Sequence, residues 1–461
     1  MTPEILAFIM FGTTLLLLLF GFPVALTLGG SALLFAFLGD YLDLFRMAML
    51  NAYPLRLLGV MKSEPLVAVP LFIFMGVMLE QSQLAGRLLE TMGRLFGRLR
   101  GGLGISVVVV GALLAASTGI AGATVVTMGL ISLPVMLRAG YSPALASGLI
   151  CSSGTLGQII PPSIVLVLLA DILQGANEQA AEISGTLVPE PVTAIDLFAG
   201  ALLPGLMLIG LYLAWVVVMA IVNPSSCPSL APEDSEKDDQ PGFGEVALVI
   251  APPLILIVLV LGSILLGIAT PTESASVGAI GATLLALQAG SLNWRVIRKV
   301  GLETTKISSM VFVILIGASM FSLVFRGFGG DEVIEHFLAN LPGGPLAALL
   351  LVMAVMFFLG FFLDFIEIIF VIVPIVGPIL IALGFDPLWL GVMIGINLQT
   401  SFLTPPFGFA LFYLRGVASE AVDTIQIYRG VLPFIGIQLL ALALIWLFPG
   451  IVLWLPGLIF G

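Results

Sequence analysis

One histidine, two cysteines and a charged fraction of 9% leave this 461-residue chain without the materials of most soluble functions. A single histidine excludes an HExxH motif and any His-based zinc site. Cys151 lies in an apolar segment and Cys227 in a distant polar stretch, so both read as free thiols and not as part of a disulfide scaffold. Ordinary domains carry about 25% charged residues; this chain has too few for a basic nucleic-acid binder, and nucleic acid is excluded as a partner. The chain contains no Gly-Lys dipeptide, hence no phosphate-binding loop for ATP, and no G-x-S-x-G elbow. No enzyme activity and no cofactor are expected. Energy for any work must come from an ion gradient or another subunit.

What is abundant is apolar: 60% of residues are hydrophobic, in runs long enough to span a bilayer about 30 Å thick. The chain reads as an all-α polytopic membrane protein whose first partner is the lipid bilayer. Its N-terminal MTPEIL lacks a basic region and no A-x-A site follows, so the first run reads as a retained span.

An internal repeat organises the rest. Pro134, Gly140, Pro143, Pro161 and Pro162 match Pro378, Gly384, Pro387, Pro405 and Pro406, each pair 244 positions apart. The first repeat is read as 1–222 and the second as 246–461, joined by 223–245, a Pro-, Ser- and acid-rich stretch expected to be a solvated cytoplasmic linker. Spans are expected near 5–22, 24–38, 65–81, 143–174 (interrupted) and 194–222. Residues 103–137 are broken at Ala115-Ala-Ser-Thr-Gly119 and read as a re-entrant hairpin. The second hairpin is placed at about 345–383, broken near Gly360 to Asp364, and the second broken helix at 387–416. About five spans per repeat, an odd number, makes the repeats inverted. Counting basic residues puts 12 of 16 inside, leaving Arg46, Arg56, Lys62 and Arg326 outside. Amphipathic stretches at 84–100 and 331–341 precede the hairpins.

Polar residues gather at the breaks. Ser117, Thr118, Gly119, Gly122 and Thr124 mark the first tip; Ser152, Ser153, Gly154, Thr155, Gly157 and Gln158 precede Pro161-Pro162. Gly360, Asp364 and Glu367 mark the second tip; Asn397, Gln399, Thr400, Ser401 and Thr404 precede Pro405-Pro406. A proline pair breaks a helix and frees carbonyls on one side and N–H groups on the other. Carbonyls with Ser, Thr and Asn oxygens suit Na⁺; the N–H end favours an anion by roughly 0.3–2 kcal/mol. Two ion sites flanking one substrate site would result, unless the small residues serve close helix packing alone. Asp364 is open to three roles: ion ligand, proton site or N-cap. Glu273 in Thr270-Pro-Thr-Glu273 reads as a cap, and Asp171 as a residue of the membrane interface.

These residues resemble the large membrane subunit of the tripartite ATP-independent periplasmic (TRAP) transporters. The resemblance rests on Pro70-Leu-Phe-Ile-Phe-Met-Gly76, the Ser117 to Thr124 tip, Gly140-Tyr141, Gly157-Gln-Ile-Ile-Pro-Pro-Ser163, Thr270-Pro-Thr-Glu273 and Thr404-Pro-Pro-Phe-Gly408. It implies a Na⁺-coupled elevator-type symporter in the bacterial inner membrane that takes up an organic acid. A periplasmic substrate-binding protein and a separate small four-helix membrane subunit would be its partners. Ser117, Thr118, Gly119, Ser152, Ser153 and Gly154 would form one sodium site; Gly360, Asp364, Asn397, Gln399 and Thr400 the second. Thr124, Thr155, Gln158, Ser401 and Thr404 would face a small anionic substrate, with Pro161, Pro162, Pro405 and Pro406 making the helix breaks. The excursion Asn177 to Ile195 would be a binding-protein dock, a mark of a subgroup handling less usual substrates, or a solvated loop. The alternative is a stand-alone anion/Na⁺ or anion/H⁺ symporter of a related inverted-repeat family.

Overall fold

A computed structural model describes residues 2–82, 84–185, 189–229, 243–418 and 422–460. The described residues form helices and connecting turns, with no strands. The first half contains α1 (Pro3–Leu19), α2 (Val24–Tyr41), α3 (Tyr53–Lys62), α4 (Glu64–Gln81) and α5 (Leu84–Phe96). Then come α6 (Gly102–Thr118), α7 (Ala121–Arg138), α8 (Pro143–Thr155), α9 (Ile164–Ser184) and α10 (Ala194–Val222). The second half begins with α11 (Phe243–Leu265), α12 (Pro271–Gln288), α13 (Trp294–Gly327), α14 (Gly330–Ala339), α15 (Gly344–Leu359) and α16 (Phe365–Val371). It ends with α17 (Val373–Ala382), α18 (Pro387–Leu403), α19 (Phe409–Val417), α20 (Thr424–Leu447) and α21 (Gly450–Phe460). Eight of these helices are long and apolar enough to cross a bilayer, nine if α16 and α17 count as one bent span.

Helix boundaries follow the 244-residue offset. Adding it to α7 gives the start of α16 and the end of α17, and adding it to the start of α8 gives the start of α18. The turns after α7 and α17 both need Gly140 and Gly384 at positive φ, +82° and +98°, a conformation cheap only for glycine. Both Pro161-Pro162 and Pro405-Pro406 peptide bonds are cis. Where the repeat departs from itself, a proline or a longer helix is responsible. The returning arm of the second hairpin bends by 58° between α16 and α17, because Pro374 lacks the N–H the helix needs and its ring crowds the preceding turn. In the first half α9 runs on to Ser184, whereas α19 stops at Val417. The Asn177 to Ile195 excursion is therefore helical over its first eight residues, to Ser184. Its return is tied down, with Gln174 Oε1 accepting from the Val192 N–H at 2.6 Å and Asn177 Nδ2 donating to the Glu190 carbonyl at 2.7 Å.

The chain divides into two compact units. The first comprises Met1–Val67, Val167–Ala194 and Thr305–Gly391. In it α1 and α2 pair through Thr14 Oγ1 to Ser31 Oγ at 2.7 Å. Phe8 meets Phe325 edge to face, and α2 lies so close to α13 that a Cβ on Gly317 would come 2.3 Å from the Ala25 carbonyl oxygen. The second comprises Ala68–Leu166, Ile195–Thr304 and Val392–Gly461. In it Gly148 of α8 and Gly430 of α20 meet backbone to backbone, which no larger residue would permit. Tyr212 of α10 accepts from Gln438 Nε2 of α20 at 2.9 Å in the core. The opening of the 223–245 stretch also belongs here. Asn223, Pro224 and Ser225 are exposed, while Cys227 is buried, its carbonyl accepts from Gly101 N–H, and the Ser226 carbonyl accepts from Ser142 N–H, so the stretch is tied down at Ser226 and Cys227. Residues 230–242, including Lys237, lie outside the described residues.

Candidate functional site

The first hairpin closes on the first helix break, all within the second unit. Helix α6 ends because Gly119 takes φ +61° and its N–H turns back to the Ala115 carbonyl at 3.0 Å. Ile120 is extended and α7 begins at Ala121. Glycines bring the backbones together along the way: a Cβ on Gly111 would lie 2.5 Å from Ser153 Cβ, on Gly154 2.4 Å from Val125 Cγ2, and on Gly157 3.0 Å from the Ala115 carbonyl. At the tip, a Cβ on Gly119 would approach the Ile164 nitrogen, the first N–H of α9, to 3.3 Å. From behind, Gly76 of α4 backs the tip, within 2.6 Å of Thr118 Cα by the same measure. Gly76 is a site residue the polar-cluster reading missed, although the Pro70 to Gly76 motif contained it; Tyr413 of α19, packed against Gly122, is another.

Inside this wrap the polar groups divide into satisfied and unsatisfied. Ser117 Oγ donates to the Leu114 carbonyl at 2.8 Å, Ser152 Oγ to Leu149 at 3.2 Å, and Thr155 Oγ1 to Ser152 at 2.9 Å. Thr118 and Thr124 share a hydroxyl bond of 2.8 Å that ties the two arms of the hairpin. Ser153 Oγ, both amide atoms of Gln158 and Gln399 Oε1 are buried with no hydrogen-bond partner. Each such group costs about 1–3 kcal/mol when left unpaired. All lie within two turns of the α8 break or bonded to it, because Gln399 Nε2 donates to Thr155 Oγ1 at 3.4 Å.

That last bond has a geometric meaning. Thr155 and Gln399 are 244 positions apart, the repeat offset, so they are equivalents touching each other. Equivalent residues in contact lie on the axis relating the repeats. An axis relating the repeats would thus run between the two broken helices, α8 and α18, where a site shared by both would be built. On α18, Thr400 Oγ1 donates to the Ile396 carbonyl and Thr404 Oγ1 to the Thr400 carbonyl; Asn397, Gln399, Thr400 and Ser401 are all buried.

The second tip is chemically different. The equivalents of Ser117, Thr118 and Ile120 are Phe361, Phe362 and Asp364. Asp364 is the N-cap of α16: its Oδ1 accepts from Phe365 N–H at 2.7 Å while Glu367 Oε2 accepts from Asp364 N–H at 3.2 Å, a reciprocal capping box. Gly360 caps α15 by donating to the Met356 carbonyl. Gly360 and Asp364 belong to the first unit; Asn397, Gln399 and Thr400 belong to the second. The Thr270–Glu273 pair forms a capping box at the start of α12, as read from its sequence.

The chain matches the family model of the tripartite ATP-independent periplasmic transporter, DctM component, over residues 11–451. It is 30% identical over 457 residues to the C4-dicarboxylate TRAP transporter large permease protein DctM of Rhodobacter capsulatus, covering 98% of this chain and 99% of that one. It is 29% identical over 453 residues to the ectoine TRAP transporter large permease protein TeaC of Halomonas elongata, with 98% and 99% covered. The crystal structure of the Alcanivorax borkumensis YdaH transporter, described as having an unusual topology, shares the fold at 17% identity with a TM-score of 0.59 over 98% of both chains. With the match spanning nearly all of the chain, this multi-pass membrane protein, a transport component and not a catalyst, belongs to the DctM family of TRAP large permeases.

Proposed function

We propose that this permease imports a small organic acid across the bacterial inner membrane, driven by Na⁺, by an elevator movement. The solute is delivered by a periplasmic binding protein, and a separate small membrane subunit completes the complex. The observation that carries the reading is the first hairpin tip seated on the α8 break beside orphaned Ser153, Gln158 and Gln399 groups. Neutral oxygens at a helix break suit a hard monovalent cation, which the Ser117–Gly119 turn and Ser152–Gly154 would hold. The first N–H groups of α9 beyond the Pro161-Pro162 break would then meet a carboxylate, alongside Thr124, Thr155, Gln158, Ser401 and Thr404. The repeats 1–222 and 246–461 are taken to be inverted about the Thr155–Gln399 contact. An organic-acid solute agrees with the C4-dicarboxylate relative; the ectoine relative indicates that the solute varies within the family, so its exact identity rests with the binding protein.

The test is uptake of labelled lactate, with a labelled C4-dicarboxylate in a parallel arm, into proteoliposomes holding this chain and a small membrane subunit. The binding protein and an inward Na⁺ gradient are each supplied or omitted. Uptake that needs both is the expected result. Uptake without the binding protein would replace this reading with a stand-alone symporter, and indifference to Na⁺ would remove the coupling.

A further inference from the structure

The first unit holds a polar cavity of about 590 Å³ away from the helix breaks. One wall is α3 and α13, which contribute Arg56 and Arg326; the other is α9, which contributes Asp171, Gln174 and Glu178 one above another along a helical face. Its size is that of a small-molecule site.

The hydrogen bonding in this cavity is one-sided. The acids already have neutral donors: Ser63 Oγ donates to Asp171 Oδ1 at 2.5 Å, and Gln174 Nε2 to Glu178 Oε1 at 2.8 Å. The guanidiniums keep N–H groups that no acceptor meets. Arg326 donates through Nη2 to the Pro374 carbonyl at 3.0 Å, and its Nε forms an ion pair with Asp331 at 3.9 Å, too long for a hydrogen bond, so this buried N–H has no hydrogen-bond partner. Arg56, half-buried, has no hydrogen bond or ion pair among the described residues, and burial pushes its guanidinium below the usual range. The unmet capacity of the cavity is therefore N–H donation from two positive groups, the arrangement that receives a planar carboxylate.

We infer that this cavity binds the carboxylate of a small solute between Arg56 and Arg326, with the uncharged or cationic remainder of the solute toward Asp171 and Glu178. The acidic wall excludes polyanions, since a second and third negative charge would meet the α9 carboxylates in a partly desolvated space. Arg56 and Arg326 are also two of the four basic residues that the loop-charge count puts on the outer side. On the proposed import function, the cavity receives solute on the face where it is delivered. That placement rests on the import reading; the binding itself does not.

The test uses the full chain in lipid nanodiscs with lactate as probe, lactamide as its uncharged analogue and citrate as a polyanion. Calorimetry should give saturable lactate binding and none for lactamide or citrate. Arg56→Gln should weaken lactate roughly tenfold or more, and Arg56→Lys less, because it keeps the charge but loses the fork. Because Gln at this position could disturb α3, a second measurement uses the unmodified protein. Phenylglyoxal labelling of Arg56, followed by peptide mass, should fall when lactate is present and not when lactamide is. The inference is overturned by equal binding of lactamide, by an unchanged lactate affinity in a folded Arg56→Gln protein, or by labelling that lactate does not slow. Lactate protection of Arg56 in a preparation that fails to transport would sink the import reading and leave the cavity assignment intact.

Discussion

Ser153 illustrates how one buried hydroxyl can separate packing from function. Its Cβ lies where any side chain on Gly111 would go, so the position demands a small residue, and its Oγ has no partner. Alanine satisfies the first requirement and removes the second. Deleting an orphan hydroxyl should leave stability unchanged or raise it by up to about 1 kcal/mol, since the folded state then buries one fewer unsatisfied group. If the hydroxyl is an ion ligand, Ser153→Ala should raise the Na⁺ concentration for half-maximal uptake by about tenfold while the melting temperature holds. A sodium titration matching the parent protein would assign Ser153 to helix packing alone. That Ser153 lies beside the helix break could be read from its place before Pro161-Pro162. Its missing partner could not, because Ser152, its neighbour in the same run, bonds to the Leu149 carbonyl, and nothing in the sequence tells these two serines apart.

Helix ends pose the same question at Asp364. The sequence leaves this carboxylate open between ligand, proton site and cap, and the geometry engages it as the N-cap of α16 in a box with Glu367. Capping alone does not require charge, because Asn caps about as well as Asp and only Ala loses the roughly 1 kcal/mol that the cap contributes. A charge kept at membrane depth has a cost that Asn would avoid. Asp364→Asn should therefore melt like the parent, Asp364→Ala lower, and both should lose Na⁺-driven uptake by tenfold or more. An Asn variant that transports normally would end the role of Asp364 at the cap. The elements themselves were largely legible. The hairpins, read at 103–137 and 345–383, run Gly102–Arg138 and Gly344–Ala382, because glycine, proline and apolar run length act locally. The extension of α9 to Ser184 was not, because Glu178 and Glu182 look like loop residues until Gln174 and Asn177 are seen holding the return strand of chain. Nor could the sequence bring Arg56 and Arg326 to one cavity, since 270 positions separate them.

The contact between Thr155 and Gln399 marks where an axis relating the repeats would pass but not which way the repeats run. A parallel pair and an inverted pair can both bring equivalent residues together on an axis. The distinction decides the mechanism, since only inverted repeats present the two hairpins from opposite faces and so allow one site to be opened alternately to each side. Arg138 and Ala382 end the returning arms of the two hairpins and are equivalents, 244 positions apart. With Cys151 and Cys227 replaced by serine, single Arg138→Cys and Ala382→Cys proteins in intact cells and in inside-out vesicles can be probed with a membrane-impermeant maleimide. Inversion requires that Arg138→Cys react only in inside-out vesicles and Ala382→Cys only in intact cells, because the loop-charge count puts Arg138 in the cytoplasm. Labelling of both from one side would make the repeats parallel, remove alternating access by repeat inversion, and leave the Thr155–Gln399 contact as a packing feature of two similar halves.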